Sequence, residues 1–511
     1  MKDFKKDPLI LGIVGAGVMG RGIAQVAAAA GVEVLLFDSN SAMVQTASDF
    51  VGGMFSRAVE KGRMTSADAN AAIKRLHSAA TLAEFSRCDL VIEAIIEKLE
   101  VKQPLFRELE IIVSENCILA TNTSSLSVTE IAAGCKRPER VAGCHFFNPV
   151  PLMKLVEVIG GARTDARIVA ALETWVKRVG HTPVVVADSP GFLVNHVGRG
   201  LITEGLRVIF ENVTETHVVD RIMRDCAGFR MGPFELMDLT GLDVTFPVSE
   251  QVYNQFFHEP RLKPTPLQRR RYLAGLLGRK SGRGFYVYDG EKRIEPPEPA
   301  VPAAAKGAKF WVSRAQPVLA KKLKSLLRET GAPLDNGKKP GRTSIALVTP
   351  LGLDGTTATL DEKLPPARTV AVDMLLETGK RITLMPSPAT EVEVNNNVWA
   401  ALARGGRTVS VIRDSGGFVS QRMIAAIINT ACDIAQQGIA APADVDVGAK
   451  LGLGYPRGPL ELGDAIGPAV VLKILENLQR VYADPRYRPS PWLSRRARLG
   501  MSLLEEEGSK W

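Results

Sequence analysis

LILGIVGAGVMGRGIAQVAAAAGVEVLLFD, residues 9–38, decides the fold of the first part of this 511-residue chain. Residues 9–14 are a short apolar run of the kind that buried parallel strands show. Gly15-Ala16-Gly17-Val18-Met19-Gly20 follows at once, and an alanine-rich helix pattern then runs to Gly31. Residues 33–37 give a second strand, with Asp38 at its end. The glycines serve three physical needs, namely a tight turn, close approach of backbone to a pyrophosphate, and close helix–strand packing. The helix N-terminus receives the phosphate charge. A GxGxxG alone is a weak sign. A strand before it, a helix after it and an acid at position 38 make it a strong one. Gly15, Gly17, Val18, Met19 and Gly20 are therefore expected to cradle a dinucleotide. Asp38 can accept hydrogen bonds from the adenosine ribose. Its charge repels a 2′-phosphate and Ser39-Asn40 adds no arginine, so NAD is expected over NADP. FAD or a vestigial site is the competing reading.

Further strands alternate with helices at 90–95, 117–121 and, after a helix over 165–179, at 184–186. This is the pattern of a doubly wound α/β sheet, whose ligands sit at the carboxyl ends of the strands. Glu93-Ala94-Ile95-Ile96-Glu97 and Thr121-Asn122-Thr123-Ser124-Ser125 fall at such ends. Between them and the last strand lies VAGCHFFNPVPLMKLVEV, residues 141–158. It reads as strand, proline-broken turn and strand. Folding back about position 151 sets His145 opposite Glu157, and cross-strand β-carbons lie roughly 4.5–5.5 Å apart. A histidine fixed by an acid is a ready general base. The competing reading is a surface pair flanking a turn.

Composition narrows the class. With 45% hydrophobic and 23% charged residues the chain is that of a soluble globular protein of more than one domain. Its 64 cations against 55 anions give +9, which favours an anionic ligand. The basic runs 269–271 and 321–324 are short and helical in pattern, unlike a nucleic-acid strip with interleaved aromatics. Six cysteines show no CxxC and no clustering with the six histidines, so neither metal site nor disulfide framework is expected. No apolar run approaches the roughly 20 residues of a membrane helix, and the chain ends GSKW without a peroxisomal tripeptide. The expectation is a cytoplasmic protein with neither nucleic-acid partner nor membrane insertion.

The motifs GIVGAGVMGRGIA, VIEAIIEKLEVK, ATNTSSL, HFFNPVPLMKLVEV, DSPGFLVN, GPFELMDLTGLD and GRKSGRGFYVY, in this order, resemble the L-3-hydroxyacyl-CoA dehydrogenases of fatty-acid β-oxidation. The resemblance runs from about residue 9 to 288. It implies an NAD domain, an α-helical C-terminal domain and an acyl-CoA thioester in the cleft between them. It makes His145 the base for the 3-hydroxyl proton, with Glu157 orienting it. Ser124 would bond the substrate oxygen and the nicotinamide region, and Asn195 would complete the polar set. Glu97, Lys102, Asn122 and Asn148 match cofactor positions. Lys61 matches a basic position for coenzyme A, but Met54 stands where some members carry a serine. Arg57 and Lys61 share a helix face and can meet phosphate or simply water. A related dehydrogenase of a free hydroxy acid, or a non-catalytic dinucleotide binder, are the alternatives.

The second half repeats the helical part. Gly417-Phe418, Asp446, Gly458-Pro459-Leu460-Glu461-Leu462 and Gly467 restate Gly191-Phe192, Asp220, Gly232-Pro233-Phe234-Glu235-Leu236 and Gly241 at one offset of 226. Gln421 replaces Asn195, and no GxGxxG precedes the copy. The expected division is an NAD domain over 1–187, a helical domain over 188–290 and a linker over 291–342, Pro-, Ala- and Glu-rich to residue 305. A degenerate α/β segment over 343–414 and a second helical copy over 415–511 complete the chain. The second copy is expected to replace a partner subunit of an oligomer, and one active site is expected.

Overall fold

A computed structural model describes residues 2–303, 307–376 and 379–507. Ala304, Ala305 and Lys306 of the expected linker, Glu377 and Thr378 of the expected α/β segment, and the final GSKW lie outside them. The strands are β1 Ile10–Val14, β2 Glu33–Phe37, β3 Leu76–Ser78, β4 Leu90–Glu93, β5 Ile118–Thr121, β6 Val141–Phe146, β7 Leu155–Gly160 and β8 Thr182–Ala187. A small hairpin, β9 Val287–Asp289 and β10 Lys292–Ile294, precedes β11 Phe310–Val312, β12 Leu334–Asp335, β13 Ile345–Val348, β14 Thr369–Val372, β15 Arg381–Pro386 and β16 Thr408–Val411. The helices among the strands are α1 Val18–Ala29, α2 Ser41–Glu60, α3 Ser66–Lys74, α4 Leu99–Ile112, α5 Val128–Ala132 and α6 Ala166–Arg178. The first helical copy holds α7 Val194–Phe210, α8 Thr216–Asp225, α9 Pro233–Thr240, α10 Leu242–Gln255 and α11 Pro266–Leu273. Then come α12 Pro317–Glu329, α13 Gly355–Asp361 and α14 Val392–Ala403. The second copy holds α15 Val419–Gln436, α16 Pro442–Leu453, α17 Pro459–Ile466, α18 Pro468–Tyr482 and α19 Pro491–Leu499. No helix of the described residues is long and apolar enough to cross a membrane.

The chain divides into two compact units. The first comprises residues up to His196 together with Gln437–Leu453, so α16 belongs to it although it comes from the second copy. Its sheet, among the described residues, has eight strands in the order β3-β2-β1-β4-β5-β6-β7-β8, parallel except for β6 against β7. Successive residues of a strand serve opposite faces. Ile118 and Ala120 of β5 enter the apolar layer that holds Trp175 and Ile23, while Leu119 enters the layer of Phe85 and Phe106. The proline-broken turn sets the β6–β7 register as expected, with His145 opposite Glu157.

The second unit holds residues Val197–Gln436 and Gly454–Trp511, as far as they are described. Its sheet runs β12-β11-β13-β14-β15-β16, with β14 against β15 antiparallel. This corrects the expected linker over 291–342, which contains β10, β11, α12 and β12. The Pro- and Ala-rich start of the segment masks the regular elements beyond it. α12 buries Leu319, Ala320, Leu323, Leu326 and Leu327 along one stripe while Lys321 and Lys322 face water, and β11 is too short to show a pattern. The α/β segment therefore begins at Phe310.

The two helical copies pair like with like inside this unit. Helices α9 and α17, and α10 and α18, begin 226 residues apart, and α11 and α19 begin 225 apart. A β-carbon on Gly200 of α7 would lie 2.8 Å from Ile427 Cα of α15, so these equivalent helices cross at backbone contact. Arg422 of α15, fully buried, binds Glu204 of α7 at 2.7 Å, and Arg486 also reaches Glu204. Arg261, the counterpart of Arg486, reciprocates by binding Asp433 of α15. Equivalent patches meeting each other are the mark of two-fold pairing.

Candidate active site

The glycine fingerprint forms as its residue types require. Gly15 has φ +105°, and a β-carbon there would lie 2.5 Å from the Ala94 carbonyl oxygen. Gly17 faces open space and caps α1 without a side-chain acceptor, which leaves first-turn N–H groups for an anion. Asp38 closes β2, and its carboxylate accepts from Ala16 N–H at 2.8 Å and Asn40 N–H at 3.0 Å. The half-exposed Met19 and exposed Val18 complete the turn. These residues fit a dinucleotide: a turn with no side chains in the way, a helix N-terminus, and a fixed acid.

A second cluster closes the ends of β4 and β5. Glu97 Oε1 gathers the N–H groups of Ser124 and Ser125 at 2.8 and 3.1 Å and the hydroxyls of Thr123 and Ser125 at 2.7 and 3.0 Å. Burial works to raise the Glu97 carboxyl, yet Lys102 and these hydrogen bonds outweigh it and hold the group below its ordinary range. Lys102 is enclosed, its ammonium 2.5 Å from Glu93 and 3.3 Å from Glu97. It therefore supports the site through Glu97. Glu93, which sequence reading placed only at a strand end, also accepts from Thr121 Oγ1 at 2.7 Å and Ile95 N–H at 2.7 Å. Asn122 Oδ1 accepts from Phe146 N–H at 2.8 Å and so ties β5 to β6 beside His145.

His145 is 5% exposed and Glu157 is fully buried. Nδ1 of the imidazole lies 2.6 Å from Glu157 Oε2. The other carboxylate oxygen accepts the N–H groups of Leu193 and Val194 at 2.9 and 2.8 Å. With Nδ1 bound to a carboxylate, Nε2 is the nitrogen left to act as base. The rings of Phe147 and Phe192 flank it at 4.4 and 6.0 Å. Phe192 is held at φ +47°, a conformation side chains rarely adopt. Asn195 donates from Nδ2 to the Ser124 carbonyl at 3.4 Å, and its chain neighbour Val194 supplies one of the N–H groups on Glu157, so the two pairs are linked through the backbone at 194–195. Asn148 is exposed just past β6, and Arg57 and Lys61 are exposed at the end of α2. Among the described residues no hydrogen bond joins these three to those pairs.

The second sheet presents the same positions with other residues. Glu157 pairs with Val184 and Thr383 with Ser410, and both members of the second pair lie 226 residues beyond those of the first, so Thr383 answers to Glu157. Asp373, whose N–H bonds to the Thr383 carbonyl, answers to His145. Leu351 stands for Ser124 and Gln421 for Asn195 by the same registers. Asp373 accepts from Ser420 Oγ and from Gln421 Nε2, and Gln421 Oε1 accepts from Gly352 N–H at 2.9 Å. A shared aspartate marks the alignment. Asp188 caps α5 through Val128 and Thr129 N–H, and Asp414 caps α13 through Gly355 and Thr356 N–H.

Residues 10–189 match the family described as 3-hydroxyacyl-CoA dehydrogenase, NAD binding domain. Residues 191–288 and again 417–508 match its C-terminal domain. The 3-hydroxyadipyl-CoA dehydrogenase of Escherichia coli K12 is 37% identical over 95% of this chain and 97% of its own length. The 3-hydroxybutyryl-CoA dehydrogenase of Bradyrhizobium diazoefficiens is 39% identical over 56% of this chain and 97% of its own. The crystal structure of 3-hydroxybutyryl-CoA dehydrogenase from Escherichia coli K12 superposes with a TM-score of 0.86 at 36% identity, covering 97% of this chain and 99% of that one.

Proposed function

Since the chain belongs to the 3-hydroxyacyl-CoA dehydrogenase family and is an NAD-dependent oxidoreductase of that class, we propose how its residues divide the work. NAD, when bound, supplies the hydride acceptor. His145 Nε2 takes the proton of the 3-hydroxyl as the carbonyl forms, and Glu157 holds the ring and stabilises its cation. Ser124 and Asn195 hold the substrate oxygen. Glu97 keeps the Thr123–Ser125 turn in shape, and Gly15–Gly20 with Asp38 take the dinucleotide. The observation that carries this reading is the 2.6 Å bond between a buried imidazole and a buried carboxylate. It is tested with His145→Gln, which should lose turnover of acetoacetyl-CoA with NADH while still binding NADH.

The substrate we infer is an L-3-hydroxyacyl-CoA. Likeness over both copies to an enzyme named for 3-hydroxyadipyl-CoA favours an acyl chain ending in a carboxylate. A panel of 3-ketoacyl-CoA thioesters with and without a terminal carboxylate, followed by NADH consumption, tests this. Equal kcat/KM across the panel removes the preference. Arg57 and Lys61 are proposed for the coenzyme A phosphates, and Lys102 and Asn148 for the cofactor side. We further propose a cytoplasmic location and a second helical copy that stands in for a partner subunit, supported by the like-with-like pairing of α7 and α15. We place the domain limits at 187, 290 and 414, with the second α/β part drawn from Phe310.

A further inference from the structure

Behind the Glu157 anchor stands a helix from the second copy. Glu157 is held from one side by the N–H groups of Leu193 and Val194. The side chains of those two residues lie against α16. A β-carbon on Gly448 would fall 2.6 Å from Leu193 Cδ2, and one on Gly452 would fall 2.8 Å from Val194 Cγ2 and 3.0 Å from Leu155 Cδ2. The same helix is pinned to the edge of the sheet. Val185 N–H donates to Asp444 Oδ2 at 3.3 Å, Ala187 N–H donates to the Ile439 carbonyl at 2.8 Å, and Val186 bridges Ala440.

Glycine is a poor helix former, so two of them one turn apart in a helix call for a packing reason. The duplication supplies the control. At an offset of 226, Gly448 and Gly452 correspond to Ile222 and Cys226 of the first copy. Close approach is thus not required of this helix in general. Both glycines occur only in the copy whose helix backs the Glu157 anchor.

We propose that Gly448 and Gly452 are positioning residues for the dehydrogenase reaction. They let α16 come near enough to hold Leu193 and Val194 where their amides fix Glu157, and through it His145. This rests on the assignment of His145 and Glu157 to proton transfer. Gly452 carries the greater share. Val194 is branched at its β-carbon and stiff, so a methyl at 452 must displace backbone, whereas Leu193 can turn its side-chain end away from a methyl at 448.

The test uses the full chain with acetoacetyl-CoA and NADH. Gly452→Ala is expected to lower kcat by about 10- to 100-fold, the scale of a small misplacement of a catalytic group, with KM for NADH unchanged. Gly448→Ala should lower kcat less and keeps the test open should Gly452→Ala not fold. The Gly452→Ala/Val194→Ala pair should return to the level of Val194→Ala alone. Added to Glu157→Gln, Gly452→Ala should cost nothing further, as expected of residues that act through one another. Undiminished kcat in the folded glycine variants, or the full loss repeated on top of Glu157→Gln, overturns the inference alone. Full turnover in Glu157→Gln by itself overturns the catalytic assignment and the inference with it.

Discussion

Two copies of one sheet ending, read side by side, use their polar groups in different ways. In the first, His145 is held by Glu157, Asn195 by the Ser124 carbonyl, and the ring keeps Nε2 free of its Glu157 partner. In the second, Asp373 is shared by Ser420 and Gln421, and both ends of Gln421 are engaged. The scaffold is the same down to the aspartate cap, yet the second set of polar groups satisfies itself. A binding site needs hydrogen-bonding capacity left over for the ligand. The second sheet has a parallel strand–helix–strand unit, β11–α12–β12, where the first has β1–α1–β2, but Ser313-Arg314-Ala315-Gln316-Pro317 stands between its strand and helix in place of the glycine fingerprint. What it retains is the helical face that meets the first copy, and one helix that completes the first unit.

The most severe challenge to this contrast is to cut the chain after Gly290. The fragment loses α15 and α16 together and should be an inactive dimer or insoluble. A soluble, monomeric, fully active fragment sinks the stand-in role. Next, His145→Gln should lower kcat by about 10²–10⁴-fold, the usual contribution of a general base. Its positional twin, Asp373→Asn, should leave kcat nearly unchanged in the same assay. A matching loss in both means the second site matters to turnover. Third, Glu204→Ala removes the acid that Arg422 and Arg486 share, leaving Glu211 at 2.9 Å and Asp484 at 3.4 Å as their remaining carboxylates. It should cost about 3 kcal/mol of stability, the lower end for a broken buried pair, seen in denaturant melts. A change near zero shows that the copies are not held by this cluster. The smallest effect concerns pH. The folded-state carboxyl of Glu97 lies below its ordinary value, so its stabilisation is present above the usual carboxylate range and is lost as pH falls through the lowered value. The difference in melting temperature between wild type and Glu97→Gln should shrink on acidification. A difference that grows reverses the sign.

Much of this architecture is legible in the sequence. The fingerprint at 15–20 places the turn between β1 and α1, the prolines at 149 and 151 centre the hairpin that joins His145 to Glu157, and the offset of 226 exposes the repeat. The anchor of Glu157 is not legible, because backbone amides at 193 and 194 have no side-chain signature. Glu93 looks like the end of a strand, and its role emerges only with Lys102 enclosed between two acids. The reach of the duplication into the sheet does leave a sign, though a degenerate one. Asp188-Ser189-Pro190-Gly191-Phe192 recurs as Asp414-Ser415-Gly416-Gly417-Phe418. The exchange of α16 cannot be read from spacing at all, since it joins segments 259 residues apart.

That exchange has a consequence in time. Strand β8 ends its sheet with an open edge until residues near 440 arrive to bridge it. A chain still on the ribosome can form the nucleotide cradle early, from neighbours in sequence, but it lacks the helix that backs the Glu157 anchor. Contacts over such separations close late and slowly. The His145–Glu157 pair near the front of the chain is backed by a helix from its far end, so a prematurely ended product carries the glycine turn without the full support of that pair.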